Sequence, residues 1–209
     1  MRIKDILTEH SRIDRQVYRA LEEKGYKFLG AGVDQAAFVE PGTGHILKIF
    51  GTQEQGNTGG FSPDQQMFFK WYAFCEANKK NPFLPRFYGH ESFVWKDSRS
   101  GQDHRYLQIR TERLERLGGI PYHLNYFTDL LEKNLTFANA LKIFEKDHAG
   151  HAEEVRDYVG ENRYQLLMKT IYNVDKIAKT NGWGSDIVGS GNIRQRSDGT
   201  PVINDPWVV

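Results

Sequence analysis

The sequence predicts an α+β fold in which a five-stranded antiparallel sheet comes first and a mainly helical half follows. In the first half, the strand-like segments "YKFLG", "AAFVE" and "HILKIF" are separated by the turn-like segments "AGVDQ" and "PGTG". Beyond "ERLERLGG", apolar residues recur at helical spacing instead. A chain of 209 residues, 39% of them hydrophobic, is long enough for one domain or for an enzyme of two small lobes.

The first 113 residues predict a helix followed by the sheet. Within residues 1–25, Ser11 and Asp14 resemble a capping box, and Gly25 can end the helix. Residues 26–113 then supply an antiparallel meander, a helix over "PDQQMFFKWYAFCEANKK", and a hairpin formed by "RFYGHESFVW" and "HRYLQIRT". The polar, glycine-rich segment "GTQEQGNTGGFSPD" predicts a mobile loop between the third strand and the helix.

Residues 114–209 predict the helical half. Residues 120–148 contain one or two helices, and Leu167, Ile171 and Val174 mark another helix that ends near Gly182. A last hairpin follows, with "NIRQR" and "PVIND" as strands and "SDGT" as the turn.

Composition excludes several classes of protein. The formal net charge of +1 provides no basic surface for nucleic acid. The single cysteine, Cys75, excludes a disulfide framework and predicts an ordinary buried thiol. In "HAGH", His148 and His151 flank a glycine and predict a solvated turn rather than a metal site. The charged N-terminus is unlike a signal peptide and no long apolar run is present, so we expect a cytoplasmic protein without a membrane partner.

Two features of the predicted sheet could bind an anion. Glycines in "LGAGVDQAAF" would let the backbone approach an anion, although a plain hairpin turn is the commoner explanation of such glycines. Lys48 lies in mid-strand and shares a face with Ile46 and Phe50, so its amine must reach either an anion or solvent. From the residues alone, the candidate anion-binding groups are the backbone at Gly30 and Gly32 and the amine of Lys48.

Two further segments carry polar groups at chain junctions. In "IRTERL" a strand ends, and backbone groups there could bind a planar heterocycle or simply form a solvated connection. Asp186 follows a predicted helix, while Asn192 and Asp205 lie on neighbouring strands of the last hairpin. Oxygen ligands of this type suit Mg²⁺, and a lone aspartate can accept a proton. The alternative is that these acids are surface or capping residues beside an Asp198-Gly199 turn.

In this order the segments resemble the protein-kinase-like fold, including its aminoglycoside- and choline-kinase-type relatives. "GAGVDQAAF" is similar to the phosphate loop, "LKIF" stands where "V-A-I-K" would stand, "DIVGSGN" resembles "D-L-x-x-x-x-N", and "INDPW" stands where "D-F-G" or "I-D-W" would stand. The resemblance covers roughly residues 26–207. The small size and the "MRIKDIL" opening also resemble phage-encoded kinase-like proteins.

The resemblance implies a bilobal protein that binds ATP and Mg²⁺ between a sheet lobe and a reduced helical lobe. Lys48 would pair with the α- and β-phosphates, and the Thr111–Leu114 backbone, with Glu112 and Leu114 as the site residues, would meet adenine. The backbone of residues 30–35 would cover the phosphates, through Gly30, Ala31, Gly32, Val33 and Asp34. Asp186 would orient or deprotonate the acceptor hydroxyl, and Asn192 and Asp205 would hold Mg²⁺.

The sequence departs from the family pattern in ways that leave two functions open. The helix offers Asp64 and Glu76, but neither falls at an unambiguous position to pair with Lys48, and Tyr72 is nearest to the family spacing. Asn192 follows Asp186 by six residues instead of five. Four residues follow Asp205, so the helical lobe is expected to come from Gly118–Lys179. One hypothesis is a phosphotransferase acting on a hydroxyl of a protein, or else of a small molecule. The alternative is a pseudokinase that binds a host or partner protein. Nucleotidyl transfer and a plain α+β domain with coincidental acids are further alternatives.

Overall fold

The computed structural model describes residues 13–31, 35–51, 63–96, 101–189 and 191–208. The described residues fall into two compact units. The first lies within Met1–Ala77 and Arg86–Arg113, and the second lies within Asn78–Pro85 and Leu114–Val209. The predicted loop at residues 52–62 and the predicted capping residue Ser11 lie outside the described residues.

A five-stranded antiparallel sheet forms the centre of the first unit, as the strand pattern predicts. The strands follow the order β1-β2-β3-β5-β4, and each neighbouring pair is antiparallel. The α+β class is therefore confirmed. The elements of this unit are α1 (Arg15–Glu23), β1 (Lys27–Ala31), β2 (Gln35–Val39), β3 (Ile46–Phe50), α2 (Pro63–Ala77), β4 (Phe87–Lys96) and β5 (Asp103–Thr111).

Each face of this sheet is covered by one helix. Helix α1 begins after Asp14, whose side chain accepts a hydrogen bond from the Gln16 N–H at 2.8 Å. Its buried residues pack with the β-sheet residues of the first unit's core, the buried members of which are Ile13, Val17, Tyr18, Ala36, Phe38, Leu47, Ile49 and Tyr106. On the opposite face Phe68 of α2 contacts Phe50 at a ring-centroid distance of 5.3 Å. Because strand side chains alternate, Lys48 lies on the same face as Phe50.

Four helices account for most of the second unit. They are α3 (Ile120–Glu132), α4 (Phe137–Asp147), α5 (Ala149–Val159) and α6 (Glu161–Thr180). The solvated turn predicted for "HAGH" is wrong, because His148 ends α4 and α5 begins at the next residue. A helical glycine costs only about 1 kcal/mol, and burial of Ala152, Val155 and Val159 offsets that cost. None of the described helices combines the length and hydropathy needed to cross a membrane.

Short strands complete the second unit. The predicted last hairpin is confirmed as β8 (Ile193–Gln195) paired with β9 (Pro201–Ile203), and β6 (Glu115–Arg116) extends it. A separate pair joins β7 (Gly184–Ser185) to β10 (Trp207–Val208). The pair is anchored by Trp207, which is 3% exposed and donates its indole N–H to the Val174 carbonyl at 3.0 Å. Strands of two residues show no periodicity, so β6, β7 and β10 were not predictable from the sequence.

Candidate functional site

Pairing within the second unit brings Asp186, Asn192 and Asp205 to one place. Next to the β7–β10 pair, the Asp186 N–H donates to the Pro206 carbonyl at 2.8 Å. On the other side of Asp205, the Asn204 N–H donates to the Asn192 carbonyl at 2.7 Å. Asp205 therefore lies between two residues that are bonded to the backbone of the other two candidates. The sequence indicated this convergence through the order of the three residues and through the hairpin that carries Asn192 and Asp205.

The side chain of Asn192 is held by Asp186. Its amide nitrogen donates to the Asp186 backbone carbonyl at 2.5 Å and to the Asp186 Oδ2 at 2.8 Å. Two acceptors on one side identify the NH₂ end of the amide, so the Asn192 Oδ1 keeps its role as an acceptor or metal ligand. The amide thus links the proposed base to the proposed metal ligand.

The extra residue between Asp186 and Asn192 is accommodated in a turn. The Gly189 N–H donates to the Asp186 carbonyl at 3.3 Å, and the Asn192 N–H donates to the Gly189 carbonyl at 3.0 Å. Ser190 lies outside the described residues. A Cβ at Gly189 would approach the Asp186 carboxylate to less than 3.0 Å, which real Cβ atoms essentially never do. Gly189 is therefore a site residue that the sequence indicated only as part of a glycine-rich insertion.

The donor set of this loop fits a hard divalent cation. Asp186, Asn192 and Asp205 are all half-buried, so their oxygens remain within reach of solvent. Among the described residues, no group of three or more His, Cys, Asp or Glu side chains is arranged to hold a metal ion. Two carboxylates and one amide suit a metal that takes its other ligands from phosphate and water, which is how Mg²⁺ is usually bound.

In the first unit, Lys48 lies at the centre of the sheet. It occupies the middle of β3, opposite Ala37 of β2 and Ile109 of β5, and it is half-buried. Within the described part of the chain, no carboxylate forms an ion pair with Lys48. Helix α2 instead places aromatic residues over this sheet face, where the Tyr72 ring lies 4.8 Å from that of His90. Tyr72, which lies nearest to the position where the resemblance implies an acid to pair with Lys48, is thus part of an aromatic cluster.

The predicted phosphate loop is described only in part. Gly30 and Ala31 belong to β1 and pair with Ala37 and Ala36 of β2. Nothing lies within 4 Å of a Cβ built at Gly30, so packing against described atoms does not require glycine there. The remaining predicted loop residues, Gly32, Val33 and Asp34, lie outside the described residues.

At the junction predicted to bind adenine, Glu112 already forms hydrogen bonds within the protein. Glu112 is 9% exposed, and its N–H donates to the Arg86 carbonyl at 3.0 Å. Its carboxylate accepts the Arg86 N–H at 2.9 Å. The Glu112 N–H is therefore not available to a heterocycle. Leu114 is half-buried and directly precedes β6 in the second unit.

Comparison with known proteins gives no family for this chain. No protein-family model matches the chain, and no curated protein matches it. A functional assignment therefore depends on the chemistry of the residues themselves.

Proposed function

We propose that the protein is a Mg-ATP-dependent phosphotransferase with a bilobal, kinase-like fold, acting on a hydroxyl acceptor. One observation carries the proposal: Asn192 hydrogen-bonds both the backbone and the carboxylate of Asp186 beside Asp205. This arrangement supports the proposal, because phosphoryl transfer needs a base and metal-ligand oxygens close together, and the candidates for these roles share one loop system. Lys48, on the central strand β3, supports it as the cation for ATP phosphates.

The proposed reaction assigns a separate task to each residue. Asp186 accepts the proton of the acceptor hydroxyl while the oxygen of that hydroxyl bonds to the γ-phosphorus. The bond from that phosphorus to the oxygen that bridges it to ADP breaks, and ADP leaves. Asn192 keeps the Asp186 carboxylate oriented through the 2.8 Å hydrogen bond. Bound Mg²⁺ would be held by Asn192 and Asp205 and would supply charge neutralisation for the phosphates. We favour a protein hydroxyl over that of a small molecule as the acceptor.

Nucleotide binding is tested by thermal unfolding with and without Mg-ATP. A ligand that binds only the folded state raises the unfolding temperature by mass action. We expect a rise for the wild type and none for Lys48→Ala or Asp205→Ala. Lys27→Ala and Asp157→Ala are matched controls, because both positions are exposed and lie in the same two units. Absence of any rise in the wild type with ATP and either Mg²⁺ or Mn²⁺ would contradict the proposal.

Transfer is tested with γ-labelled ATP, first with the protein alone and then with a cell lysate. Label on the protein or on a lysate component that requires Mg²⁺ and disappears in Asp186→Ala supports phosphotransfer. Label from α-labelled ATP, in contrast, would identify nucleotidyl transfer. Separation of labelled proteins from labelled small molecules identifies the class of acceptor.

A pseudokinase that binds a partner protein is the second candidate. The observation that favours it is that Lys48 has no acidic partner among the described residues, while α2 carries Tyr72 over that sheet face. A lysine that is not positioned by an acidic side chain would hold phosphates poorly. This candidate predicts weak or absent nucleotide binding and a protein partner whose capture is unchanged by Asp186→Ala.

A further inference from the structure

Three histidines meet in the second unit, and we call them the histidine cluster: His123 of α3, His148 at the junction of α4 and α5, and His151 of α5. The Nδ1 atoms of His123 and His151 lie 3.0 Å apart. The Tyr126 ring stacks on His151, with a centroid distance of 4.0 Å and an interplanar angle of 16°. The stacked ring restricts the orientation of that imidazole.

The distance between the two Nδ1 atoms matches that of two ligands on one metal ion. Imidazole nitrogens bind Zn²⁺ at about 2.0–2.1 Å, so two of them lie about 2.9 Å apart at a right angle and about 3.3 Å apart at the tetrahedral angle. The observed 3.0 Å falls between these values. Rotation of the His123 ring about its broad χ2 well can direct its Nδ1 lone pair to a point that the His151 Nδ1 also reaches.

The surroundings of the pair favour a cation over an anion. The histidine cluster borders an open recess of about 460 Å³, which is otherwise lined by Asp147, Glu154 and two small residues of α5. The lining includes two carboxylates and no lysine or arginine. The C-terminus of α4 and the N-terminus of α5 meet here, so their opposite partial charges largely offset each other.

We propose that His123 and His151 chelate a divalent transition-metal ion through their Nδ1 atoms. Imidazole prefers Cu²⁺, Zn²⁺ and Ni²⁺ to hard ions such as Mg²⁺. No group of three or more His, Cys, Asp or Glu ligands is present in the described part of the chain. Water completes the coordination shell, and the site is a two-histidine clamp between α3 and α5.

Metal binding replaces the hydrogen bond between the two rings. At 3.0 Å one Nδ1 donates its proton and the other accepts it. Chelation requires both Nδ1 atoms as lone-pair donors, so the donating ring releases that proton or moves it to its own Nε2. The site uses none of the residues assigned to phosphotransfer, so either proposal can fail without the other.

Calorimetric titration of the full chain, purified without a histidine tag, tests the clamp. We expect one equivalent of Cu²⁺ to bind more tightly than Zn²⁺ or Ni²⁺, and a large excess of Mg²⁺ to leave the affinity unchanged. His123→Ala and His151→Ala should each lower the affinity at least about tenfold, since each removes one of two ligands. His45→Ala in the first unit is the control and should bind like the wild type.

A second variant separates chelation from a structural role of the pair. His123→Asn can keep a hydrogen bond to the His151 Nδ1 but is a poor ligand for transition metals. It should retain the wild-type unfolding temperature without metal, and it should lose the rise that Cu²⁺ or Zn²⁺ produces. One-to-one binding that survives in the His123→Asn, His151→Asn double variant overturns the proposal. No saturable binding of Cu²⁺ by the wild type at about 100 µM metal also overturns it.

Discussion

Replacing Asn192 by aspartate tests the hydrogen bonds that hold the loop between residues 186 and 192. The two side chains have the same shape, but aspartate lacks the donors that reach the Asp186 carbonyl at 2.5 Å and the Asp186 Oδ2 at 2.8 Å. A neutral hydrogen bond contributes about 1 kcal/mol to stability, and one to a charged group about 1.5–3 kcal/mol. Loss of both bonds is the first part of the cost.

Repulsion between the new carboxylate and Asp186 is the second part. Two unit charges about 4 Å apart interact by about 1 kcal/mol in water and by about 4 kcal/mol at an effective dielectric constant of 20. Both residues are half-buried, so the lower value applies and water recovers part of the lost hydrogen bonding. The expected decrease in the free energy of unfolding of the second unit is about 2–4 kcal/mol.

Urea unfolding followed by tryptophan fluorescence measures this decrease. Trp183 and Trp207 report on the second unit, where their ring centroids are 5.3 Å apart. Asn162→Asp is the matched control, because that residue is exposed in the first turn of α6 and its change should stay within about 0.5 kcal/mol. If Asn192→Asp also stays within that range, the Asn192 amide is not the donor that organises the loop, and the assignment of its Oδ1 to a metal loses its basis.

Three further substitutions probe the site and its support. Gly189→Ala should displace the Asp186 carboxylate and lower phosphotransfer about 100-fold, whereas Gly150→Ala, within a helix, should leave transfer unchanged. Burial acts to raise the pKa of Glu40, but hydrogen bonds from Thr43, Arg110 and Tyr26 outweigh it and hold that pKa below its usual value. Glu40→Gln should therefore lower stability by about 1–2 kcal/mol at pH 7. That difference should vanish as the pH falls through the Glu40 pKa, because the depressed pKa means that only the ionised form stabilises the fold. Trp207→Phe loses the indole hydrogen bond and part of a buried ring, so thermal unfolding should show a loss of about 1.5–3 kcal/mol.

The sheet was predictable because its signal is local. Alternating side chains and turn residues lie within a few positions of each other, so the strands, the β1-β2-β3 meander and the β4-β5 hairpin follow from neighbours in the chain. The pairing of β3 with β5 joins segments that lie far apart in the chain and is not given by this local signal. Helix α5 was missed although Ala152, Val155 and Val159 have helical spacing. Gly150 and the flanking histidines suggested a turn, and the packing of α5 against α3 and α6 decided otherwise.

The sequence indicated which residues belong to the candidate site, but it did not indicate the hydrogen bonds between them. The order of Asp186, Asn192 and Asp205 and the lysine in mid-strand could be read directly. The role of Gly189 could not, since it depends on where the Asp186 carboxylate lies in space. The sequence also did not show that the Glu112 N–H is hydrogen-bonded, because its acceptor, the Arg86 carbonyl, lies 26 residues earlier in the chain.

The sequence by itself determined which residues can carry charge, donate protons or ligate a cation, and it indicated the longer strands and most of the helices. Only the tertiary structure decided which of these residues meet. Two-residue strands bring Asp186 beside Pro206, and helix packing brings His123 to within 3.0 Å of His151. The physical reason is that periodicity is set by residues a few positions apart, whereas these contacts depend on the burial of apolar surface across the whole unit.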